Sequence, residues 1–291
     1  MNKLTSAALL AALLFASPAA AQDTNLSGFN DGAGSLGELG DVDLGDLETV
    51  AVQPIAFTTT ATRREAEVMF ATLSSADGPD PAVSAIFNGV SFEISAPAAA
   101  EDDGLDFAGS STELDTNALT MGFGLGTLPL MQLQSAETFA STISSFEALA
   151  PTMDAMFSPK VGAATRAFLT ASKAGKFDVD AYSNMLASAT LGMVSSDDPA
   201  IQRRHGYLLV GLWIGYSILS AATDSLTDST HQIGESLILL LVKDAQFGGS
   251  DKSIAAILRA SVDDMKGGKA TPTSLMAQGQ KILEVKADSA K

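Results

Sequence analysis

The chain has 291 residues, no cysteine, and 34 acidic against 17 basic side chains, so its formal net charge is −17 at pH 7. This charge argues against nucleic acid and anionic lipid surfaces as partners, because both repel an acidic protein. The missing cysteines exclude disulfides, thiol catalysis and thiolate metal sites, and a chain of this length can bury enough core to fold without them.

The first residues have the layout of a secretory signal peptide. Lys3 is followed by an apolar run from Leu4 to Phe15, and small residues at Ala19–Ala21 form a cleavage site. The apolar run is too short to anchor the mature chain in a bilayer. The sequence therefore predicts a signal peptide over residues 1–21 and a mature protein that is periplasmic or secreted.

Charge divides the mature chain into two unlike parts. Residues 22–117 contain 18 acidic side chains and only two basic ones, Arg63 and Arg64, whereas residues 118–291 are close to neutral. Residues 22–50 combine frequent glycines with closely spaced acidic side chains, and both oppose a stable helix. This segment is predicted to be disordered.

Residues 51–130 are predicted to form a small, irregular α+β region. Partial alternation in AVQPIAFTTTAT and NGVSFEIS suggests short strands, and TRREAEVMFATL between them has a helical pattern. The glycine-rich GFGLG at residues 122–126 lacks the spacing of a phosphate-binding loop. It is interpreted as a flexible joint between the two parts of the chain.

From residue 131 onward, apolar residues recur at helical spacing, and seven helices with short connections are predicted. Asp198 followed by Pro199 has the character of an N-cap and first-turn pair, and Ser229 with Gln232 has the spacing of a capping box. The predicted fold class is therefore mainly α, with a C-terminal helical bundle over residues 131–291 around a fully apolar central helix.

The central helix contains an uncharged stretch, residues 206–223, that is almost long enough to span a bilayer. After export, Arg203 and Arg204 would flank its outer end and Asp224 its inner end, which reverses the positive-inside rule. A stable membrane span is therefore not expected, and the stretch is placed at the centre of the bundle. Arg203, Arg204 and His205 are interpreted as the exposed first turns of this helix. The alternative is that these basic residues meet an anionic ligand or the acidic N-terminal part of the chain.

Four residues of the central helix are candidates for ligand contact. Gly211 and Gly215 have the GxxxG spacing that lets two helices approach closely, and Trp213 and Tyr216 lie beside them. An apolar small molecule or a protein partner held between helices would meet these side chains. Core packing is the alternative interpretation of Trp213.

Asp228, His231 and Glu235 are the candidate metal ligands. One continuous helix would place them on a shared face, and carboxylates with an imidazole can hold a divalent cation. The predicted helix start at Ser229 opposes this arrangement, because it would leave Asp228 in a turn. No catalytic residue is assigned, and no cofactor is expected.

For function, the sequence favours an exported envelope protein with a non-enzymatic binding or structural role, holding an apolar ligand or an unknown protein partner. One alternative is a metal-assisted enzyme that uses His231, Asp228 and Glu235. The other is conditional membrane insertion by an apolar hairpin of residues 206–222 and 233–242.

Overall fold

The computed structural model describes residues 57, 59–75, 86, 111–133, 136–149, 153–243 and 250–288. All of them belong to one compact unit, Ile55–Lys291. In this described part, nine helices of at least 13 residues and one single turn form a mainly α bundle, which confirms the predicted fold class. The helices are α1 (Thr59–Leu73), α2 (Ser111–Met131), α3 (Ala136–Ala148), the single turn α4 (Met153–Met156), α5 (Pro159–Lys173), α6 (Val179–Ser195), α7 (Pro199–Ala222), α8 (Asp228–Lys243), α9 (Ser250–Lys266) and α10 (Pro272–Asp288).

The helix α7 is the centre of the bundle, as predicted. It begins where expected, since the side chain of Asp198 accepts a hydrogen bond of 2.8 Å from the backbone N–H of Ala200 and Pro199 follows the cap. Every residue from His205 to Ser220 is buried. Among the described residues it is the one helix long and apolar enough to span a bilayer, but 89% of its most apolar window lies inside the bundle. A helix that is apolar on all sides needs such a surrounding.

The closest helix packing in the bundle joins α2 to α7 through glycines on both helices. A methyl group at Gly211 would lie 2.2 Å from the carbonyl oxygen of Leu119, and one at Gly126 would lie 2.9 Å from the Cα of Gly215. Because these distances are shorter than any Cβ contact, only glycine allows the two backbones to approach this closely. The GxxxG pattern of α7 therefore serves packing inside the protein.

The two central helices run parallel to each other. Gly122 of α2 lies against Leu208 and Leu212 of α7, and Gly126, one turn later, lies against Leu212 and Gly215. The contacts therefore advance in the same chain direction on both helices. The chain between α2 and α7 forms α3 to α6, of which α5 and α6 pack on each other and α6 packs on α7.

Two predictions for the region before residue 131 were wrong. GFGLG is not a flexible joint, because residues 122–126 lie inside the 21-residue helix α2, where Gly122 and Gly126 face α7. The end of the first predicted strand, Thr59–Thr62, begins α1 instead, and the helical pattern of TRREAEVMFATL is confirmed. Bundle packing also begins upstream of residue 131, since α2 packs along α7.

The remaining predictions for the N-terminal region fall on residues that the structure does not describe. These are the signal peptide (residues 1–21), the disordered acidic segment (residues 22–50) and the strand NGVSFEIS.

Candidate functional site

The four residues proposed for ligand contact are all buried between helices. Gly211 and Gly215 lie against the backbone of α2, which leaves no room for a ligand atom beside their Cα atoms. The indole N–H of Trp213 donates to the carbonyl oxygen of Thr230 at 2.7 Å, which joins α7 to the start of α8. The hydroxyl of Tyr216 donates to the carboxylate of Glu65 on α1.

The three candidate metal ligands lie on one helix but do not converge. The helix α8 begins at Asp228, so the predicted start at Ser229 was one residue late. Asp228 is 98% exposed, His231 Nδ1 lies 3.9 Å from its Oδ1, and Glu235 pairs instead with Lys266. Within the described residues, no group of three His, Asp or Glu side chains is placed to hold a metal ion.

Charged side chains from four helices meet inside one end of the bundle, in a cluster that no sequence pattern predicted. We call it the ion cluster: Asp115 on α2, Arg203 and Tyr207 on α7, Asp251 on α9 and Lys286 on α10. Four of its members are at most 4% exposed as residues, and the Arg203 side chain is 24% exposed. Arg203 was interpreted as part of an exposed first turn, but it pairs with Asp115, which belongs to the acidic part of the chain that was its alternative partner.

The members of the ion cluster form a continuous chain of polar contacts. Arg203 Nε lies 2.8 Å from Asp115 Oδ2, and Lys286 Nζ lies 4.0 Å from the same oxygen. Lys286 Nζ also lies 3.7 Å from the centre of the Tyr207 ring, a cation–π contact. The Tyr207 hydroxyl donates to Asp251 Oδ1. The cluster therefore joins the beginnings of α2 and α9 to the end of α10.

Burial dominates the electrostatics of this cluster. It raises the pKa of Asp115 although Arg203 and Lys286 lie close by, and it lowers the pKa of Lys286 in spite of the facing carboxylates of Asp115 and Asp251. Asp115 Oδ1 has no hydrogen-bond partner among the described residues. The arrangement positions helix ends, with acidic side chains near the N-termini of α2 and α9 and a cation near the C-terminus of α10.

His205 is fully buried rather than exposed, which corrects the interpretation made from the sequence. Its Nε2 accepts a hydrogen bond of 3.2 Å from the backbone N–H of Ser158, and its ring stacks on Phe157 with 5.7 Å between ring centres. An acceptor nitrogen requires the neutral imidazole. Burial, helped by the positive charge of Arg204, lowers the pKa of His205 to about 4.

This pKa predicts that the protein loses stability in mild acid. The unfolded chain binds a proton at His205 near its ordinary pKa of 6.5, whereas the folded protein resists protonation down to about 4. The free energy of unfolding should therefore fall by about 3 kcal/mol from this residue as the pH drops from 6.5 to 4, with no further loss below. Urea unfolding across this range should show a smaller fall for His205→Gln than for the unchanged protein. Equal pH dependence of the two would contradict the assignment.

The second polar cluster lies at the opposite end of α7 and holds α1. Glu65 accepts hydrogen bonds from the hydroxyls of Tyr216, Thr227 at 3.0 Å and Ser229 at 2.8 Å. Ser229 was predicted to cap α8, but its hydroxyl donates to this carboxylate instead. One acidic side chain of α1 thus accepts hydrogen bonds from α7, from the connection before α8 and from the first turn of α8.

The helix α1 covers an aromatic surface of α6 and α7. The ring centre of Phe70 lies 5.3 Å from that of Tyr182 and 5.6 Å from that of Phe177, and Met69 Sδ accepts a contact of 3.6 Å from the Ser220 hydroxyl. We call this surface the α1 groove; its members are Phe177 in the connection before α6, Tyr182 of α6, Tyr216 and Ser220 of α7, and Thr227 and Ser229.

No family model, curated protein or solved structure matches this chain, so the comparisons assign neither a family nor a function.

Proposed function

We propose that the protein is exported to the cell envelope and has a non-enzymatic role there, in which its helical bundle holds a protein partner. One observation carries this proposal: the bundle contains a surface, the α1 groove, that binds an amphipathic helix through both apolar and polar contacts. Helix-in-groove binding is a recurring mode of protein recognition. The signal peptide predicted from the sequence supports the location.

Packing at the centre of the bundle favours a protein partner over an apolar small molecule. The candidate ligand contacts Gly211 and Gly215 touch the backbone of α2, and Trp213 and Tyr216 use their polar atoms to join helices. A ligand beside the two glycines would have to separate α2 from α7, and one at Trp213 or Tyr216 would have to break the hydrogen bonds that join α7 to α8 and to α1. Of these four residues, only Tyr216 belongs to the α1 groove.

The second arm of the hypothesised hairpin makes membrane insertion the weaker hypothesis. That hypothesis pairs residues 206–222 with residues 233–242. Among the described helices, α7 is the one long and apolar enough to cross a bilayer, so α8 does not supply a second span. The apolar window that α7 would insert is already 89% buried against other helices.

The metal-assisted enzyme is also a weaker hypothesis than partner binding, because its candidate metal ligands do not converge. Glu235 is engaged by Lys266, and Asp228 extends into solvent. His231 is therefore left with one carboxylate at 3.9 Å, whereas a bound metal ion needs several converging ligands.

Cell fractionation combined with photo-crosslinking tests the proposal. A photoreactive amino acid is placed at Phe177, inside the α1 groove, or at Lys269, an exposed control in the connection between α9 and α10. We expect the mature chain in the soluble fraction and a discrete protein adduct from Phe177 but not from Lys269, stronger when Glu65→Ala loosens α1. Retention in carbonate-washed membranes would favour insertion instead, and a soluble chain without a specific Phe177 adduct would contradict partner binding.

A further inference from the structure

We propose that the α1 groove is the partner-binding site itself, that its partner is an amphipathic helix with one carboxylate at the position of Glu65, and that α1 is a displaceable occupant. This inference rests on the proposed function and names the site and the class of partner. The contacts of α1 define what a competing helix must present.

The apolar requirement follows from the buried face of α1. Thr62, Ala66, Met69, Phe70 and Leu73 are each at most 4% exposed, and they recur at the spacing of one helix face. The opposite face carries Arg63, Arg64 and Glu67, and also Val68, which is 54% exposed. A partner helix therefore needs the same apolar stripe, with an aromatic side chain at the Phe70 position to meet Phe177 and Tyr182.

The polar requirement follows from the hydroxyls that face Glu65. Tyr216 is buried, and burial together with the nearby Glu65 carboxylate raises the pKa of its hydroxyl, which therefore stays a donor. With Thr227 and Ser229 it forms a set of three donors that face one position of the bound helix. A carboxylate satisfies all three, whereas an apolar side chain would leave a buried hydroxyl without an acceptor, which costs about 1–3 kcal/mol. The groove is thus selective for an acidic anchor.

The attachment of α1 makes it replaceable. It packs mainly on α6, and the close packing of α2 on α7 does not depend on it. It has no acidic residue in its first turn and no basic residue in its last turn, and an isolated helix of 15 residues is marginal in water. Its ion pair with Asp180, between Arg63 Nε and Oδ1 at 2.9 Å, is solvent-exposed and contributes little. The contacts of α1 with the groove therefore provide most of the stability of this helix.

Tethering sets the affinity that a competing helix must reach. Because α1 belongs to the same chain as its groove, its effective concentration there is on the order of millimolar. If α1 is docked about 99% of the time, a free helix binds about 100-fold more weakly than it would to an empty groove. The unchanged protein should consequently bind a helix with the sequence of α1 only weakly.

The inference is tested by measuring, with fluorescence anisotropy, how tightly the full mature chain binds a fluorescent peptide with the sequence of residues 57–75. We expect the Glu65→Ala, Phe70→Ala double variant, whose own α1 is loosened, to bind this peptide about 100-fold more tightly than the unchanged chain. A matched double variant on the exposed face, Arg64→Ala, Val68→Ala, should bind as weakly as the unchanged chain. Peptides that carry Glu65→Ala or Phe70→Ala should lose at least about 10-fold in affinity.

A second form of the chain keeps the test decisive if the double variant does not fold. One protease site is inserted within residues 76–110, and the folded chain is cut at this site. The cut protein is diluted before the peptide is added. The peptide then competes with a severed α1 that is no longer covalently attached to the bundle. Equal peptide binding before and after cutting, or equal binding of the peptide and its Glu65→Ala form, would overturn the inference. That result would leave the proposed function standing if Phe177 still forms its adduct in cells, because the partner would then use another feature of this surface.

Discussion

Replacing Gly211 by alanine is expected to lower the free energy of unfolding by about 3 kcal/mol, although alanine is the better helix former. The added methyl group would lie 2.2 Å from the carbonyl oxygen of Leu119 and 2.6 Å from the amide nitrogen of Phe123. Both are backbone atoms of α2, so no side-chain rotation relieves the contact, and the helices must separate. The gain in helix propensity, about 1 kcal/mol, is smaller than this loss.

Two other glycines provide graded controls for this prediction. A methyl group at Gly279 would meet the side chains of Phe123 at 2.7 Å and Ile214 at 2.9 Å, which can shift in part. Gly267 is exposed, and its methyl group would come no closer than 3.2 Å, to the carbonyl oxygen of Asp263. Urea unfolding followed by circular dichroism should rank the losses Gly211→Ala, then Gly279→Ala, then Gly267→Ala. A Gly211→Ala protein as stable as Gly267→Ala would contradict the close approach of α2 and α7.

Replacing Asp115 by alanine is expected to cost about 3 kcal/mol, because it leaves the buried Lys286 and the half-buried Arg203 without their shared carboxylate. Burial already lowers the pKa of Lys286, and the loss of Asp115 removes the larger of the two attractions that oppose this shift. Part of the destabilisation should therefore appear as a lower pKa of Lys286 in the variant.

The double variant Asp115→Ala, Lys286→Met separates a broken ion pair from lost packing. Methionine fills much of the lysine volume without a buried charge, so the double variant should recover at least about half of the lost stability. Arg203 needs no replacement, because its side chain reaches solvent. If the losses in the free energy of unfolding of the single variants Asp115→Ala and Lys286→Met simply add in the double variant, Asp115 and Lys286 do not interact.

The central helix could be predicted because its signals are local. Asp198 and Pro199 mark its start, and the uncharged stretch that follows cannot face water on any side. The helix α2 was missed for a physical reason: glycines at residues 122–126 favour either a flexible joint or very close helix packing. Only contact with α7, far away in the sequence, decides between the two.

The ion cluster was missed because its partners lie on four helices that only the fold brings together. One signal was nevertheless present in the sequence of α10. Leu275, Met276, Gly279 and Ile282 form a buried face, and Lys286 continues it at helical spacing. A lysine on an apolar face predicts a buried carboxylate nearby, but the sequence cannot say which of 34 acidic residues supplies it.

The α1 groove was likewise beyond the sequence, although the helix that fills it was predicted. TRREAEVMFATL has a visible apolar face, whereas the surface that receives this face combines Phe177, Tyr182 and Tyr216 from separate segments. Glu65 gives no sign of its role in the sequence, because an acidic residue on a surface helix is ordinarily solvated.

Hydrogen exchange of the backbone amides in the full mature chain tests the central claim most directly, because partner binding at the groove requires α1 to open while the bundle stays folded. We predict that amides of α1 exchange about 100-fold faster than those of α7, and that Glu65→Ala increases exchange in α1 without changing α7. If α1 and α7 are instead protected to the same extent, α1 leaves its groove only when the whole bundle unfolds, and the groove is not available to a partner.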